Sequence, residues 1–213
     1  MKVVEIFNSI EGEGVRVGLP CTFIRLYGCN LHCSYCDTRY ACEGDSYIVM
    51  SVEEILNQVK QWTCRSITIT GGEPLVHPGI ESLIQTLCDN GYCVNVETNG
   101  SVPIPEIVSS RAMYTVDYKT ISSGMSDRMC PEAFTELGML DVVKFVVGTQ
   151  EDLEQALSVV EKYGIRCHIY VSPIYGEMEP RQIVEFIQQH CLWDWHVQVQ
   201  LHKIIWDADT RGV

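Results

Sequence analysis

A chain of 213 residues, 46% of them hydrophobic, is long enough to bury one core and too apolar for a disordered polymer. Its net charge of −13 leaves no basic stripe to displace counterions from a phosphate backbone, so no nucleic-acid partner is expected. No apolar run approaches the ~20 residues that cross a bilayer, and Met1-Lys2-Val3-Val4-Glu5 lacks the apolar segment of a secretory signal. A cytoplasmic protein with no membrane partner is expected. In a reducing compartment the eleven cysteines read as metal ligands where they cluster. Where they scatter, as at Cys21, Cys64, Cys88, Cys93 and Cys167, they read as small buried apolar residues. No repeat, low-complexity tract or linker interrupts the chain, which predicts a single domain over 1–213.

Residues 3–7 alternate as a strand and lead into Ser9-Ile10-Glu11-Gly12-Glu13-Gly14. The glycines there allow a sharp turn or a close approach to a ligand. Residues 21–27 are β-branched and aromatic, hence a strand. Arg25 inside it needs an anionic partner, either structural or a ligand carboxylate. Gly28 ends the strand. The loop Cys29-Asn30-Leu31-His32-Cys33-Ser34-Tyr35-Cys36 then sets three thiols within eight residues.

Ser51-Val52-Glu53-Glu54 is a capping box, and Val52, Ile55, Leu56, Val59 and Trp62 follow it as a helical stripe. Residues 65–70 form a strand followed by Gly71-Gly72-Glu73-Pro74. A second helix is expected to open near Pro78 and to stop at Gly91. The strand 92–96 ends in Glu97-Thr98-Asn99-Gly100, and the strand 113–118 closes on Asp117-Tyr118-Lys119. Strand 141–147 precedes a helix capped by Thr149 and ended by Gly164. Strand 166–171 ends in Ser172-Pro173, Pro180 opens a last helix, and a final strand is expected over 197–201, before His202-Lys203-Ile204-Ile205-Trp206.

Strand–helix alternation with short connections implies an α/β fold with a parallel sheet. About six core strands are visible, too few for a closed eight-stranded barrel of ~250 residues. The polar signatures all follow strand C-termini, where parallel α/β folds bind ligands. They are therefore expected to share one site.

Two metals compete for Cys29, Cys33 and Cys36. Zinc needs a fourth ligand, which His32 or Cys42 could supply, but structural zinc sites come as two spaced pairs and the chain has no second pair. An iron–sulfur cluster uses the triplet directly: three thiolates hold three irons and the fourth stays free for a substrate or cofactor.

Cys29-x-x-x-Cys33-x-Tyr35-Cys36 resembles the signature of the radical S-adenosylmethionine superfamily, and Gly71-Gly72-Glu73-Pro74 resembles its second motif. That resemblance implies an incomplete (β/α) barrel of about six parallel core strands. It implies a 4Fe-4S cluster on Cys29, Cys33 and Cys36, with S-adenosylmethionine (SAM) chelating the free iron. Gly72 and Glu73 would then meet the methionine amino group, with further contacts at Tyr35, Asp37, Asp117, Tyr118, Lys119 and Ser172.

The resemblance narrows to the 7-carboxy-7-deazaguanine synthases of queuosine biosynthesis. It is carried by Phe7-Asn8-Ser9-Ile10-Glu11-Gly12-Glu13-Gly14, by Thr22-Phe23-Ile24-Arg25-Leu26-Tyr27-Gly28-Cys29, by Cys36-Asp37-Thr38, by Thr70 and Glu97-Thr98-Asn99-Gly100, and by the ending Leu201-His202-Lys203-Ile204-Ile205-Trp206 through Arg211-Gly212-Val213. It implies a carbon–nitrogen lyase that contracts the ring of 6-carboxy-5,6,7,8-tetrahydropterin and releases ammonia. Thr38 would be the one protein ligand of Mg2+. Ile10, Glu11, Gly12, Arg25, Thr70 and His202 would contact the pterin. A homodimer and an electron donor such as flavodoxin or ferredoxin come with the resemblance. Two positions depart from it: Glu11 stands where Gln is expected, and Asp117-Tyr118-Lys119 where Ser-Pro-Lys is frequent. An activase of a glycyl-radical enzyme and a cysteine-rich zinc-binding interaction module are the competing readings. Thr38 and the settings of Arg25 and His202 favour the synthase.

Overall fold

The computed structural model describes every residue except Val108, Ala208 and Asp209. The β-branched runs pair into one sheet. Its strands are β1 (Lys2–Ile10), β2 (Pro20–Leu26), β3 (Ile48–Val49), β4 (Ser66–Gly71), β5 (Cys93–Thr98), β6 (Ala112–Tyr118), β7 (Val142–Val147), β8 (His168–Pro173) and β9 (Trp195–Val197). Their order is β3-β1-β2-β4-β5-β6-β7-β8-β9. From β2 onward every pairing is parallel, while β1 runs antiparallel to both β2 and β3. β3 and β9 are edges, so the described sheet stays open. Six strands of ordinary length and the short β9 make the incomplete parallel barrel.

The helices are α1 (Val52–Val59), α2 (Ile80–Asp89), α3 (Glu132–Thr135), α4 (Gln150–Tyr163), α5 (Pro180–Gln189) and α6 (His202–Ile205). Ser51 and Glu54 cap α1 reciprocally, as Thr149 and Asp152 cap α4, and Gly164 ends α4 in the left-handed region at φ 61°.

Side-chain parity decides the rest. Ile67, Ile69, Val94, Val96, Val116, Val143, Phe145 and Val147 share the outer face and are fully buried together with Ile55, Val59, Leu83, Ile84, Leu87, Leu153 and Ile183 of the helices. Each such side chain contributes roughly 1.5–3 kcal/mol. The alternate positions hold Thr68, Thr70, Asn95, Glu97, Thr115, Asp117 and Lys144. The hollow side of the sheet is therefore polar, and its C-terminal rim carries the loops of interest.

Two elements differ from expectation. Pro78 does not open α2: Gly79 takes φ 85° as the residue before the helix, which starts at Ile80. The last strand is Trp195–Val197 rather than 197–201. The chain leaves the sheet because Gln198 Oε1 accepts from Gly14 N at 2.7 Å and Leu201 N donates to Gly12 O at 3.1 Å. These bonds turn residues 198–201 across the hollow of the sheet instead of along its edge.

Candidate active site

The cysteine loop is anchored by backbone contacts. Gly72 N donates to Leu26 O at 2.9 Å and Glu73 N to Gly28 O at 2.8 Å. A Cβ on Gly72 would lie 2.0 Å from Gly28 O, and one on Gly71 would lie 2.1 Å from Leu26 O. The paired glycines thus let the loop after β4 press against the root of the cysteine loop. On the other side Gly28 N donates to Ala41 O at 2.7 Å, closing the segment from Cys29 to Ala41 on itself.

Cys29, Cys33, Cys36, Tyr35, Asp37 and Thr38 line one cavity of ≈ 990 Å³ together with Ile10, Glu11, Gly12, Arg25, Thr70 and His202. Gly72, Asp117 and Lys119 border it as well. Sequence positions more than 190 apart therefore face a common space, from Ile10 to His202.

Cys29 Sγ accepts from Leu31 N at 3.4 Å and Asn99 Nδ2 at 3.5 Å. A hydrogen bond with the Cys42 thiol, the largest influence, and these donors hold Cys29 down at about 6. Cys36 is lowered to about 6, again chiefly by Cys42, with Thr38 adding to it. Burial pushes Cys33 up. Thr38 Oγ1 lies 3.8 Å from Cys36 Sγ. Cys29 and Cys36, inclined to ionise at the edge of a cavity, suit a soft metal centre.

A buried ion chain runs beneath. Lys144 Nζ sits 2.6 Å from Glu13 Oε2 and 3.3 Å from Asp117 Oδ2, and Lys119 Nζ sits 2.9 Å from the same Asp117 oxygen. Burial raises Asp117, but Lys119 and Lys144 outweigh it and hold the carboxyl below its ordinary value. Asp117 Oδ1, Glu13 Oε1 and the Tyr35 hydroxyl are buried without a hydrogen-bond partner among the described residues. Polar atoms left unpaired at a cavity wall are suited to a ligand.

In the same cavity Glu11 accepts from Thr68 Oγ1 and pairs with Arg16 Nη2 at 3.3 Å. Burial, then the nearby Glu97, raises its carboxyl to about 7. Arg25 Nε meets Glu5 at 2.7 Å, so its anionic partner is structural, while its guanidinium still borders the cavity. Thr70 Oγ1 donates to Glu97 at 2.8 Å. Gly12 lets the imidazole come close, since a Cβ there would meet His202 Nδ1 at 2.5 Å and push the ring aside. Burial lowers His202 and favours its neutral form. Lys203 reaches Asp37 at 3.1 Å and ties α6 to the cysteine loop.

Three expected contacts do not border the cavity. Tyr118 has outer-face parity and packs on Phe134 and Phe145, with centroids 5.2 and 5.6 Å away. Glu73 is fully buried, and its carboxylate accepts from Leu75 N, Thr98 Oγ1 and Asn99 N at 2.9, 2.7 and 2.6 Å. It laces the loop after β4 to the loop after β5. Ser172 has inner parity yet is wholly buried, its Oγ unpartnered among the described residues.

Residues 23–189 match the radical SAM superfamily model. The chain is 41% identical to a 7-carboxy-7-deazaguanine synthase of Clostridium acetobutylicum, over all of this chain and 99% of that protein. It is 37% identical to the Chlorobaculum tepidum protein of the same name, covering 100% of this chain and 97% of the other. The chain belongs to the 7-carboxy-7-deazaguanine synthase family. Its fold matches the crystal structure of QueE from Escherichia coli at a TM-score of 0.78, with 24% identity and 94% of each chain covered.

The cofactors of this radical SAM family are a 4Fe-4S cluster, SAM and Mg2+. The donor set fits the cluster: three free thiols line one cavity, and two N–H donors point at the sulfur of Cys29. Among the described residues no three His, Cys, Asp or Glu side chains converge tightly enough for a single metal ion.

Sequence reasoning passed over Lys144 and gave no individual role to Glu13, Glu97, Asn99, Lys203 and Arg211, which all border the cavity. Lys144 was within reach. A lysine inside Val142-Val143-Lys144-Phe145-Val146-Val147 raises the same demand for a buried partner as Arg25 in its strand. Arg211 stacks over Tyr40 at 4.0 Å, a contact across the chain that no local pattern signals.

Proposed function

We propose that this chain contracts 6-carboxy-5,6,7,8-tetrahydropterin to 7-carboxy-7-deazaguanine with loss of ammonia, as a single radical SAM domain over 1–213. One observation carries the reading: the three thiols and the Ile10-Glu11-Gly12, Arg25, Thr70 and His202 group line one and the same cavity. The cluster and SAM, when bound, supply the electron and the hydrogen-abstracting radical. The chain binds, orients and shields.

Cys29, Cys33 and Cys36 hold the cluster. Gly72 brings a bare backbone to the SAM side, where Tyr35, Asp37, Asp117 and Lys119 add polar contacts. Glu73, Tyr118 and Ser172 support that wall from behind. Thr38 offers its hydroxyl to Mg2+ beside Cys36, in keeping with the ion's preference for oxygen and for few protein ligands.

Arg25 presents its terminal nitrogens to the substrate carboxylate, with Glu5 fixing Nε. Glu11 accepts from the amino and N3–H edge of the pterin as a carboxylate, where Gln would accept through one oxygen. Thr70, oriented by Glu97, hydrogen-bonds the ring. His202 closes the pocket above Gly12.

The resemblance adds a homodimer and an electron donor such as flavodoxin or ferredoxin. A cytoplasmic setting agrees with eleven free cysteines, and no helix among the described residues is long and apolar enough to cross a membrane.

Steady-state kinetics of Arg25→Gln test the assignment. The expected result is a KM for the pterin raised roughly 10- to 100-fold, the loss of a charge-assisted pair of about 1.5–3 kcal/mol. A KM equal to wild type removes Arg25 from the substrate site.

A further inference from the structure

The turn that presents two of the three thiols is held from outside the cysteine loop. Cys36 N donates to Cys33 O at 3.3 Å, so Cys33-Ser34-Tyr35-Cys36 is a β-turn with a thiol at each end. Ser34, inside that turn, is fastened through three groups. Its N–H donates to Ser123 O at 3.0 Å, its hydroxyl donates to Ser122 O at 2.6 Å, and its carbonyl accepts from Arg39 Nη2 at 2.9 Å. Ser122 and Ser123 belong to the single turn Ile121–Ser123 after β6, and that turn is tied down twice. Thr120 Oγ1 donates to Val146 O at 2.8 Å, and Ser123 Oγ donates to Thr120 O at 2.6 Å. The second tie is Asp152, fully buried in the first turn of α4. Capping α4 asks one bond of its carboxylate, from Thr149 N at 3.1 Å. The carboxylate accepts three more, from Gly148 N at 2.8 Å, Ser122 N at 2.9 Å and the Ser122 hydroxyl. A continuous path therefore runs from Asp152 through Ser122 to Ser34. None of the three is among the groups assigned above to cluster, SAM or pterin.

We propose that Asp152 is a positioning residue for the iron–sulfur cluster: through Ser122 it fixes Ser34, and with it the separation and aim of the Cys33 and Cys36 thiols. The proposal rests on the reading of Cys29, Cys33 and Cys36 as cluster ligands. A carboxylate holds N–H and O–H donors more strongly than a neutral acceptor does. Asp152 grips both donors of Ser122 and so keeps the Ser122 carbonyl in place for the Ser34 hydroxyl. A turn fixed in advance loses less conformational freedom when its thiols take up iron than a turn that must be ordered at that moment. Groups that orient a metal's ligands in this way commonly change metal retention roughly 10- to 100-fold.

The test follows iron release to a ferrous chelator from protein reconstituted anaerobically with iron and sulfide. Urea unfolding and the EPR spectrum of the reduced cluster, with SAM absent and present, are read on the same samples. Asp152→Asn and Ser34→Ala are made singly and together. Ser122→Ala cuts the same path without touching α4, and Thr149→Ala weakens the α4 cap while leaving the path intact. The expected result is iron release roughly 10-fold faster in Asp152→Asn, Ser122→Ala and Ser34→Ala, with an EPR spectrum in the presence of SAM that differs from wild type. The double variant releases iron no faster than its faster parent, because both changes cut one path. Thr149→Ala lowers the urea midpoint yet keeps wild-type iron release. Wild-type release in Ser122→Ala and Ser34→Ala overturns the proposal. So does a double variant whose two effects multiply, or a Thr149→Ala that releases iron as fast as Asp152→Asn, which would trace the effect to α4 stability alone. If Asp152→Asn fails to fold, Ser122→Ala combined with Ser34→Ala is judged by the same criteria. Wild type that takes up no iron and sulfide would instead defeat the cluster reading beneath the proposal.

Discussion

Arg25 and Lys144 are both cations set inside apolar strands, and both find carboxylates, Glu5 for one and Glu13 with Asp117 for the other. The demand for a partner is legible in any such sequence, but its identity is not, because Lys144 and Glu13 lie 131 positions apart. Lys144→Met leaves two buried carboxylates without their shared cation, an expected loss of about 3–5 kcal/mol in urea unfolding. A loss below about 1 kcal/mol would place the pair in the class of exposed ion pairs. Gly72→Ala is expected to lower iron per chain after reconstitution, since the new Cβ meets the backbone oxygen of Gly28 and displaces the cysteine loop. Full iron content in that variant would contradict the close approach. Thr38→Ala is expected to raise the Mg2+ concentration needed for half-maximal turnover, and an unchanged Mg2+ response would remove Thr38 from the ion. The thiol triplet and both glycines were legible because their spacing is local. Tyr118 was misplaced because its motif was read as a block, whereas Asp117 points into the hollow and Tyr118 onto Phe134 and Phe145.

At the scale of elements, capping chemistry and parity carried most of the reading. Ser51 and Thr149 start helices because each side chain satisfies a free N–H of the first turn. Ser51→Ala is expected to cost about 1 kcal/mol in urea unfolding and to leave turnover unchanged, since α1 stands on the outer face. Altered turnover would mean that α1 shapes the cavity. The start of α2 and the extent of β9 were not legible. Gly79 carries a positive φ that permits but does not announce a break, and β9 ends because Gln198 is drawn to Gly14 from across the chain. Parity could have separated the apolar outer face from the polar hollow in advance, and with it Glu97 and Lys144.

For the whole molecule, the strand–helix alternation prescribed a parallel sheet, and the C-terminal rim of that sheet prescribed where the motifs meet. The antiparallel β1 and the return of residues 198–202 over the hollow complete the site through long-range contacts that alternation does not encode. Burial raises the Glu73 carboxyl from 4.5 to about 7. With the folded value above the unfolded one, the stability this group contributes is full below about pH 4.5 and is lost as pH rises through about 7. At ~1.36 kcal/mol per pH unit the gap amounts to about 3 kcal/mol. Urea midpoints of wild type should therefore fall more steeply between pH 5 and 8 than those of Glu73→Gln, and parallel curves would contradict this. The central claim is the ring contraction itself. Anaerobic turnover with 6-carboxytetrahydropterin, SAM, Mg2+ and a reductant, followed by mass spectrometry, tests it most directly. The account predicts 7-carboxy-7-deazaguanine with matching release of ammonia. Recovery of unchanged pterin from protein carrying a full cluster would contradict it.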